Sequence, residues 1–281
     1  MNKAIEIKVC AEYNPGTLES LSQKYNVSTS SVYRALKKNA IPTSKKTHIY
    51  KEDVFDLIDT ELKAYVLGLI TSDGYIANKN NRYIAQLSST DKEIPSFFAQ
   101  LIEYPRPLYH IKSEGVARRN LDEWRIMVCS KRLVLALEKL GVVNGKSMKE
   151  VFCSDVPGIL LKHYIRGIFD GDGSIGLYPV KNSISQARLS IAGSAGLLNN
   201  ISEIFDFKLD ISRTKIAKKD NGLCILQYCG NRTIKNICGW LYEDCNYYLS
   251  RKYDIACKVL DLKTTKEIMI EKQKELQFTL W

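Results

Sequence analysis

AYVLGLITSDGYI (residues 64–76) returns later in the chain as HYIRGIFDGDGSI (residues 163–175), with 99 residues between the corresponding aspartates. Tyr65 aligns with Tyr164, Gly68 with Gly167, Asp73 with Asp172 and Gly74 with Gly173, and Ile70 matches Phe169 as an apolar pair. The flanking segments correspond too. RYIAQLSSTDKEIPSFFAQLIE (82–103) and SQARLSIAGSAGLLNNISEIF (185–205) each alternate like a strand and then turn helical. WRIMVCSKRLVLALEKLG (124–141) and CILQYCGNRTIKNICGWLY (224–242) again read as strand and helix. Each unit is therefore helix, two strands, helix, two strands, helix. The expected core is α+β, a pseudo-twofold pair of αββαββα units over residues 61–150 and 151–262.

The repeated helices carry small residues on one side: Gly68 and Ser72 in the first, Gly167 and Gly171 in the second. Small side chains four apart let two helix backbones approach closely, so Gly68, Gly167 and Gly171 are expected at a helix–helix interface. Pairing would bring Asp73 and Asp172 together at the C-terminal ends, with Gly74 and Gly173 as left-handed terminators. Two carboxylates there oppose each other and the negative ends of both helix dipoles. A divalent cation relieves that repulsion, and hard oxygen ligands suit Mg²⁺, with Mn²⁺ tolerated. A cation held by paired carboxylates, facing a cationic surface, is apparatus for phosphodiester hydrolysis.

Such a surface is present. The 281 residues are 45% hydrophobic and 26% charged, and Lys plus Arg exceed Asp plus Glu by 41 to 31, giving +10 and a pI near 9.1. That surplus points to a polyanionic partner. No apolar run approaches the ~20 residues of a spanning helix, and MNKAIEIK has no signal-peptide core, so a cytoplasmic (bacterial or phage-like) or organellar location is expected, not secretion. Eight cysteines without a CxxC pair, and three scattered histidines, argue for reduced thiols and against structural zinc.

Residues 1–46 hold eight basic residues against three acids, half the surplus. In TLESLSQKYNVSTSSVYRALKKNAI, Leu18, Leu21 and Tyr25 recur at helical spacing after a candidate cap at Thr17. Asn26 and Val27 make a turn, and Ser28 or Thr29 caps a second helix with inner face Val32, Ala35 and Leu36. Ile5 to Tyr13 supplies a supporting helix. The pattern resembles the helix-turn-helix of resolvase-type recombinases, with Ser30, Ser31, Tyr33, Arg34, Lys37 and Lys38 turned outward to DNA. A helix-turn-helix domain is thus expected over 1–43 and a linker over 44–60. A solvated helix is expected over 263–281.

The segments VLGLITSDG and IRGIFDGDG resemble the paired signature of the LAGLIDADG homing endonucleases in their single-chain, two-motif form, a likeness covering about residues 50–260. The resemblance implies two four-stranded sheets forming a saddle over double-stranded DNA, and a monomer that cuts both strands to leave short 3′ overhangs. It implies that Asp73 and Asp172 bind the metal, helped by the carbonyls of Ser72 and Gly171. A polar residue late in the second strand supports water at the metal in this family. Gln86 and Ser89 are both candidates, depending on register, and Arg188 and Ile191 stand in their places in the second half. A basic residue before the last helix faces the scissile phosphate, and Lys146, and Lys252 with Arg251, hold comparable places. Asp170 matches an acidic position of the signature but is Thr71 in the first copy, so it is secondary. The saddle is expected to carry Lys79, Arg82, Lys112, Arg118, Arg119 and Arg125 in the first half. The second offers Lys181, Arg188, Arg213, Lys215, Lys218 and Lys219, with Tyr and Gln among them to read bases.

The principal reading is a site-specific, metal-dependent endonuclease making double-strand breaks at a long target. A chain running from Met1 to Trp281 is expected to be encoded by a mobile intron or intergenic element rather than to be an intein. The alternatives are an intron RNA maturase, or a DNA-binding transcriptional regulator built on the same core. Retention of both aspartates favours the nuclease.

Overall fold

The computed structural model describes all residues except 15–16, 42, 44–49, 113–121, 146–148, 181–182, 221 and 263–281, together with the side chains of 183 and 184. Arg118, Arg119, Lys146, Lys181, residues 44–49 of the expected linker and the segment 263–281 expected as a terminal helix lie outside the described residues. Contacts divide the chain into two units, 1–50 and 51–281.

The first unit is three helices, α1 (Lys3–Glu12), α2 (Leu18–Lys24) and α3 (Thr29–Lys38). Val9, Leu21, Val32 and Leu36 form its core, with Leu18 and Tyr25 packed against them. Asn26 takes a left-handed φ of 47° to turn the chain between α2 and α3, and the Ser28 hydroxyl caps α3 by accepting from the Ser31 amide at 3.2 Å. Thr17 precedes α2 but makes no side-chain cap. Its hydroxyl is spent on Asn14, donating to that carbonyl at 2.7 Å.

In the second unit, α4 (Glu61–Asp73) leads into β1 (Gly74–Lys79), β2 (Arg82–Ser89), α5 (Glu93–Leu101), β3 (Tyr109–Ile111), β4 (Glu123–Cys129) and α6 (Lys131–Lys139). The order repeats as α7 (Leu161–Asp172), β5 (Gly173–Val180), β6 (Ser183–Gly193), α8 (Ala195–Leu209), β7 (Ala217–Lys218), β8 (Cys224–Cys229) and α9 (Asn231–Tyr242), followed by α10 (Ser250–Leu260). Each half builds a four-stranded antiparallel sheet of the same strand order, β1-β2-β4-β3 and β5-β6-β8-β7. Asn80 and Asn81, both at positive φ, turn the β1–β2 hairpin with the twist that two-residue loops require. Helices cover one face of each sheet, burying Ala85, Leu87, Ile126 and Val128 in one half and Ala187, Leu189, Ile191, Leu226 and Tyr228 in the other. No helix among the described residues is long and apolar enough to cross a membrane.

α4 and α7 pack against each other along their length, and residues 64–72 of α4 are all buried. The glycines explain how. A methyl group on Gly68 would strike the Tyr164 carbonyl and lie 2.9 Å from the Gly167 Cα, and one on Gly167 would strike the Tyr65 carbonyl and lie 3.0 Å from the Gly68 Cα. Backbone meets backbone at this point, leaving no space for a side chain. Gly74 and Gly173 act differently from the expected left-handed terminators. Their φ values are −72° and −91°, ordinary extended backbone. They are glycine because each strand starts by folding back over the last helical turn: a methyl on Gly74 would come 2.6 Å from the Ile70 carbonyl oxygen, and one on Gly173 would enter the Phe169 ring.

Gly68→Ala is therefore expected to lower unfolding free energy by about 2–4 kcal/mol, because two backbones must separate. Gly196→Ala, in α8 with open space around the new methyl, is expected to be neutral or stabilising by up to about 1 kcal/mol. Urea denaturation of both variants checks this, and equal stabilities would overturn the close helix approach.

Candidate active site at the C-terminal ends of the paired helices

Asp73 and Asp172 are the last residues of α4 and α7, so the helix pairing delivers both carboxylates to one end of the interface. Gly171 makes room there. A methyl on it would strike the Ser72 side chain and come 3.1 Å from Asp73 Oδ2, so its bareness seats Ser72 and the Asp73 carboxylate against the α7 backbone. Ser72 turns its hydroxyl back into α4, donating to the Gly68 and Leu69 carbonyls at 3.2 and 3.1 Å.

Lys252, on α10, reaches under this end from the core. The residue is 2% exposed, and its ammonium donates to the carbonyls of Phe169 (2.6 Å), Asp170 (2.9 Å) and Gly173 (2.5 Å). It thereby adds a cationic donor at the negative end of α7, sharing the Phe169 carbonyl with the Gly173 amide that closes the helix. Burial lowers its pKa to about 8, against the raising influence of Asp170 and, more weakly, of Asp73 and Asp172. Adjacent Arg251 grips Asp91 through two nitrogens at 2.9 and 3.0 Å, and Ser250 donates to Glu93 from its amide and hydroxyl. Both acids belong to the first half, so α10 is bolted across the two repeats.

A second tie is pseudo-symmetric. Tyr65 donates to Asp170 at 2.8 Å, and at the matching place Tyr164 and Thr71 share a hydrogen bond of 3.3 Å. Asp170 is fully buried and also accepts from Tyr242 (3.0 Å) and the Leu249 amide (2.9 Å). Burial raises its pKa, and those three donors and Lys252 oppose the rise. At the other end of the helix pair, the fully buried Arg166 donates to the Leu241 and Tyr247 carbonyls and to Glu61 at 2.7 Å. Glu61 takes further hydrogen bonds from Asn246, which outweigh its burial and lower its pKa. His163 lies 3.5 Å from Glu61, yet burial and Arg166 hold its pKa at about 4. Asp170 and Arg166 are charged residues within the apolar run YIRGIFDG of α7, and that incongruity is the signal that marks them as partnered core.

The strand ladders place the supporting residues. Gln86 pairs with Tyr75 and Met127 on the face away from the helices. Ser89 falls on the opposite parity, and its hydroxyl accepts from the Asp91 amide at 3.1 Å. Counting from Gly74 and Gly173, the equivalents of Gln86 and Ser89 are Ser190 and Gly193, since Ser174 pairs with Ser190. This corrects the expected match to Arg188 and Ile191 by two residues, because the ladder rather than spacing along the chain sets equivalence. Lys79 and Arg82 pair at the exposed β1–β2 tip, and Arg188 and Arg125 lie on the open faces, the latter bound to Glu123 at 2.7 Å. Lys112 and Lys215 are exposed beside strands, as are Lys218 at an edge and Lys219. Arg213 instead pairs with Glu203 and Asp206 of α8, on the helical side. Tyr75, Met127, Tyr178 and Gln227 complete the open faces, a placement that period-two alternation allows but cannot orient without a register.

Among the described residues no three His, Cys, Asp or Glu side chains cluster. A cation at the helix ends would rest on the two carboxylates, backbone carbonyls and water, an all-oxygen donor set.

No family model matches the chain. It is similar to the homing endonuclease I-WcaI solved with its DNA recognition sequence (15% identity, 72% of this chain and 90% of that one, TM-score 0.50). It is also similar to the I-LtrWI LAGLIDADG homing endonuclease bound to target DNA (13%, 72% and 90%, TM-score 0.49). At 15% identity the likeness to I-WcaI is one of fold alone. By sequence, 240 residues are 25% identical to the tRNA-splicing ligase RtcB of Pyrococcus furiosus, and 198 are 24% identical to an uncharacterized protein of Methanocaldococcus jannaschii. The match takes in 77% of this chain but 24% of the ligase; for the second protein the shares are 68% and 71%.

The buried ammonium has a measurable signature. With its pKa depressed to about 8 from an unfolded value near 10.5, the unfolded chain binds more protons between those limits, so this group adds stability as pH rises through that window. The stability difference between the parent protein and Lys252→Met should therefore increase from pH 8 to pH 10.5 in parallel urea titrations. A flat difference would mean that Lys252 is solvated.

Proposed function

We propose that the chain is a site-specific, divalent-metal-dependent DNA endonuclease that cuts both strands at a long target. The observation that carries this reading is the delivery of Asp73 and Asp172 to one end of a helix pair whose approach is set by Gly68 and Gly167, with Gly171 left bare beside the Asp73 carboxylate. Two carboxylates at two negative helix ends are unfavourable in a purely structural interface and fit an oxygen-bound Mg²⁺. The Ser72 and Gly171 carbonyls would join them as ligands. Such a cation supplies Lewis-acid stabilisation of charge on the phosphate and acidifies water for attack. The chain's own part is to hold the carboxylates in place, and Lys252 does this from below by tying off the α7 carbonyls and keeping a positive charge beneath the aspartates. Gln86, one strand over from Tyr75 on the open face, is the better placed of the two polar candidates to orient water, since Ser89 is committed to the Asp91 amide.

The open faces of the two sheets, with Lys79, Arg82 and Arg188, would lie along duplex DNA, as fits a fold shared with a homing endonuclease solved on its recognition sequence. The first unit is a helix-turn-helix on this reading. Tyr33, Arg34 and Lys37 project from α3 opposite its buried Val32, Ala35 and Leu36, ready for a major groove and its phosphates, while Lys38 is paired with Glu6 at 3.1 Å and would have to exchange that partner for a phosphate.

The test is incubation with a duplex spanning the uninterrupted form of its own locus. Cleavage with Mg²⁺, its loss in EDTA, and a drop of at least about a hundredfold in Asp73→Asn and in Asp172→Asn are expected. No cleavage with any divalent metal, or cleavage indifferent to the double substitution, would sink the reading and leave a maturase or regulator. For the first unit, Arg34→Ala and Lys37→Ala should each reduce the slope of log affinity against log salt by about 1. An unchanged slope would remove α3 from the DNA contact.

A further inference from the structure

Ile84 and Arg188 hold one ladder position in the two sheets. Ile84 lies between Ala77 and Cys129, and Arg188 between Gly176 and Cys229. Both alternate with buried neighbours, Ala85 in one half and Ala187 and Leu189 in the other, so both stand on the open faces. Their cross-strand neighbours are small on either side.

What rises differs sharply. Arg188 is exposed, with its guanidinium 5.0 Å from the centroid of the Tyr178 ring and its Nη2 3.5 Å from Gln186 Oε1. Among the described residues no carboxylate pairs with it, whereas Arg125 is held by Glu123 and Arg213 by Glu203 and Asp206. A guanidinium steadied on an aromatic face keeps its fork of donors directed, and apart from the long contact to Gln186 no donor of it is engaged by an acid among the described residues. At the same place in the first half is a half-buried branched hydrocarbon. In a major groove these two chemistries select different bases: a directed guanidinium matches the O6 and N7 acceptors of guanine, and an apolar side chain matches the 5-methyl of thymine.

Resting on the nuclease reading, we propose that Arg188 and Ile84 are specificity-determining residues at pseudo-symmetric base positions, Arg188 reading guanine in one half-site and Ile84 the thymine methyl in the other. The target is then non-palindromic at that position although the two halves share one fold. Tyr178 is a positioning residue for the Arg188 fork.

The experiment is metal-free selection of the full chain on a randomised duplex library, with the bound pool sequenced, for the parent protein and for Arg188→Lys, Arg188→Ala, Tyr178→Leu and Ile84→Ala. The parent is expected to select guanine at one position and thymine at its pseudo-symmetric counterpart. Arg188→Ala and Arg188→Lys should each reduce the guanine preference by about tenfold to a hundredfold, with Arg188→Lys keeping total affinity because its charge remains. Tyr178→Leu should weaken the preference by a smaller factor. Replacing the selected thymine by deoxyuridine should cost the parent roughly fourfold and Ile84→Ala nothing. A guanine preference unchanged in both Arg188 variants, or a parent profile that is palindromic at this position, overturns the inference while leaving the nuclease reading intact. Absence of any sequence-selective duplex binding by the parent overturns both.

Discussion

Everything in the larger unit hangs on one contact, the meeting of two helix backbones at Gly68 and Gly167. With a carbonyl of each helix lying where the other's Cβ would be, the two halves have one way to pair. Because each strand pair begins directly at a helix end, at Gly74 and Gly173, fixing the helices also fixes both sheets. The same contact fixes the chemistry. It brings Asp73 and Asp172 to a common end, where each carboxylate opposes a helix dipole as well as its counterpart. A fold selected for stability alone would hold these two groups apart.

The surroundings relieve the strain unequally. In the first half the cross-helix partner of Tyr164 is the neutral Thr71, while in the second the partner of Tyr65 is the buried Asp170. Asp170 in turn requires Tyr242, the Leu249 amide and the charge of Lys252, and so draws α9 and α10 beneath the ends of the helices. A buried carboxylate is costly unless all its acceptors are used, and here three donors use them. The asymmetry extends outward to the open faces, where Ile84 and Arg188 share a ladder position and nothing else. Two similar halves thus frame two chemically different environments, a natural arrangement for a ligand whose halves are not alike.

The net charge of +10 also reads differently once paired groups are set aside. Arg166, Arg213, Arg125 and Arg251 are bound to acids, and Lys252 is buried among carbonyls. Among the described residues, exposed cations without an acid partner include Lys79 and Arg82 at the β1–β2 tip, Arg188 on an open sheet face, and Arg34 and Lys37 on α3. Each arginine–acid pair removes one charge of either sign, so pairing leaves the surplus in place and decides only which cations face solvent unpaired.

The amino-acid sequence by itself determined the repeat, the αββαββα order, the glycine-lined helix interface, the terminal aspartates and the three-helix start. All of these are local patterns, written in periodicity and spacing over a few turns or strands. Tertiary structure alone decided the rest. Strand register moved the equivalents of Gln86 and Ser89 to Ser190 and Gly193, since a slip of two residues preserves every alternation and leaves no mark in the sequence. Close approach, not backbone handedness, proved to be why Gly74 and Gly173 lack side chains. Burial turned Lys252 from a residue expected to face the scissile phosphate into a cap on α7, because what surrounds a side chain is set by residues eighty positions away. Registers and surroundings are non-local, and only the packed molecule contains them.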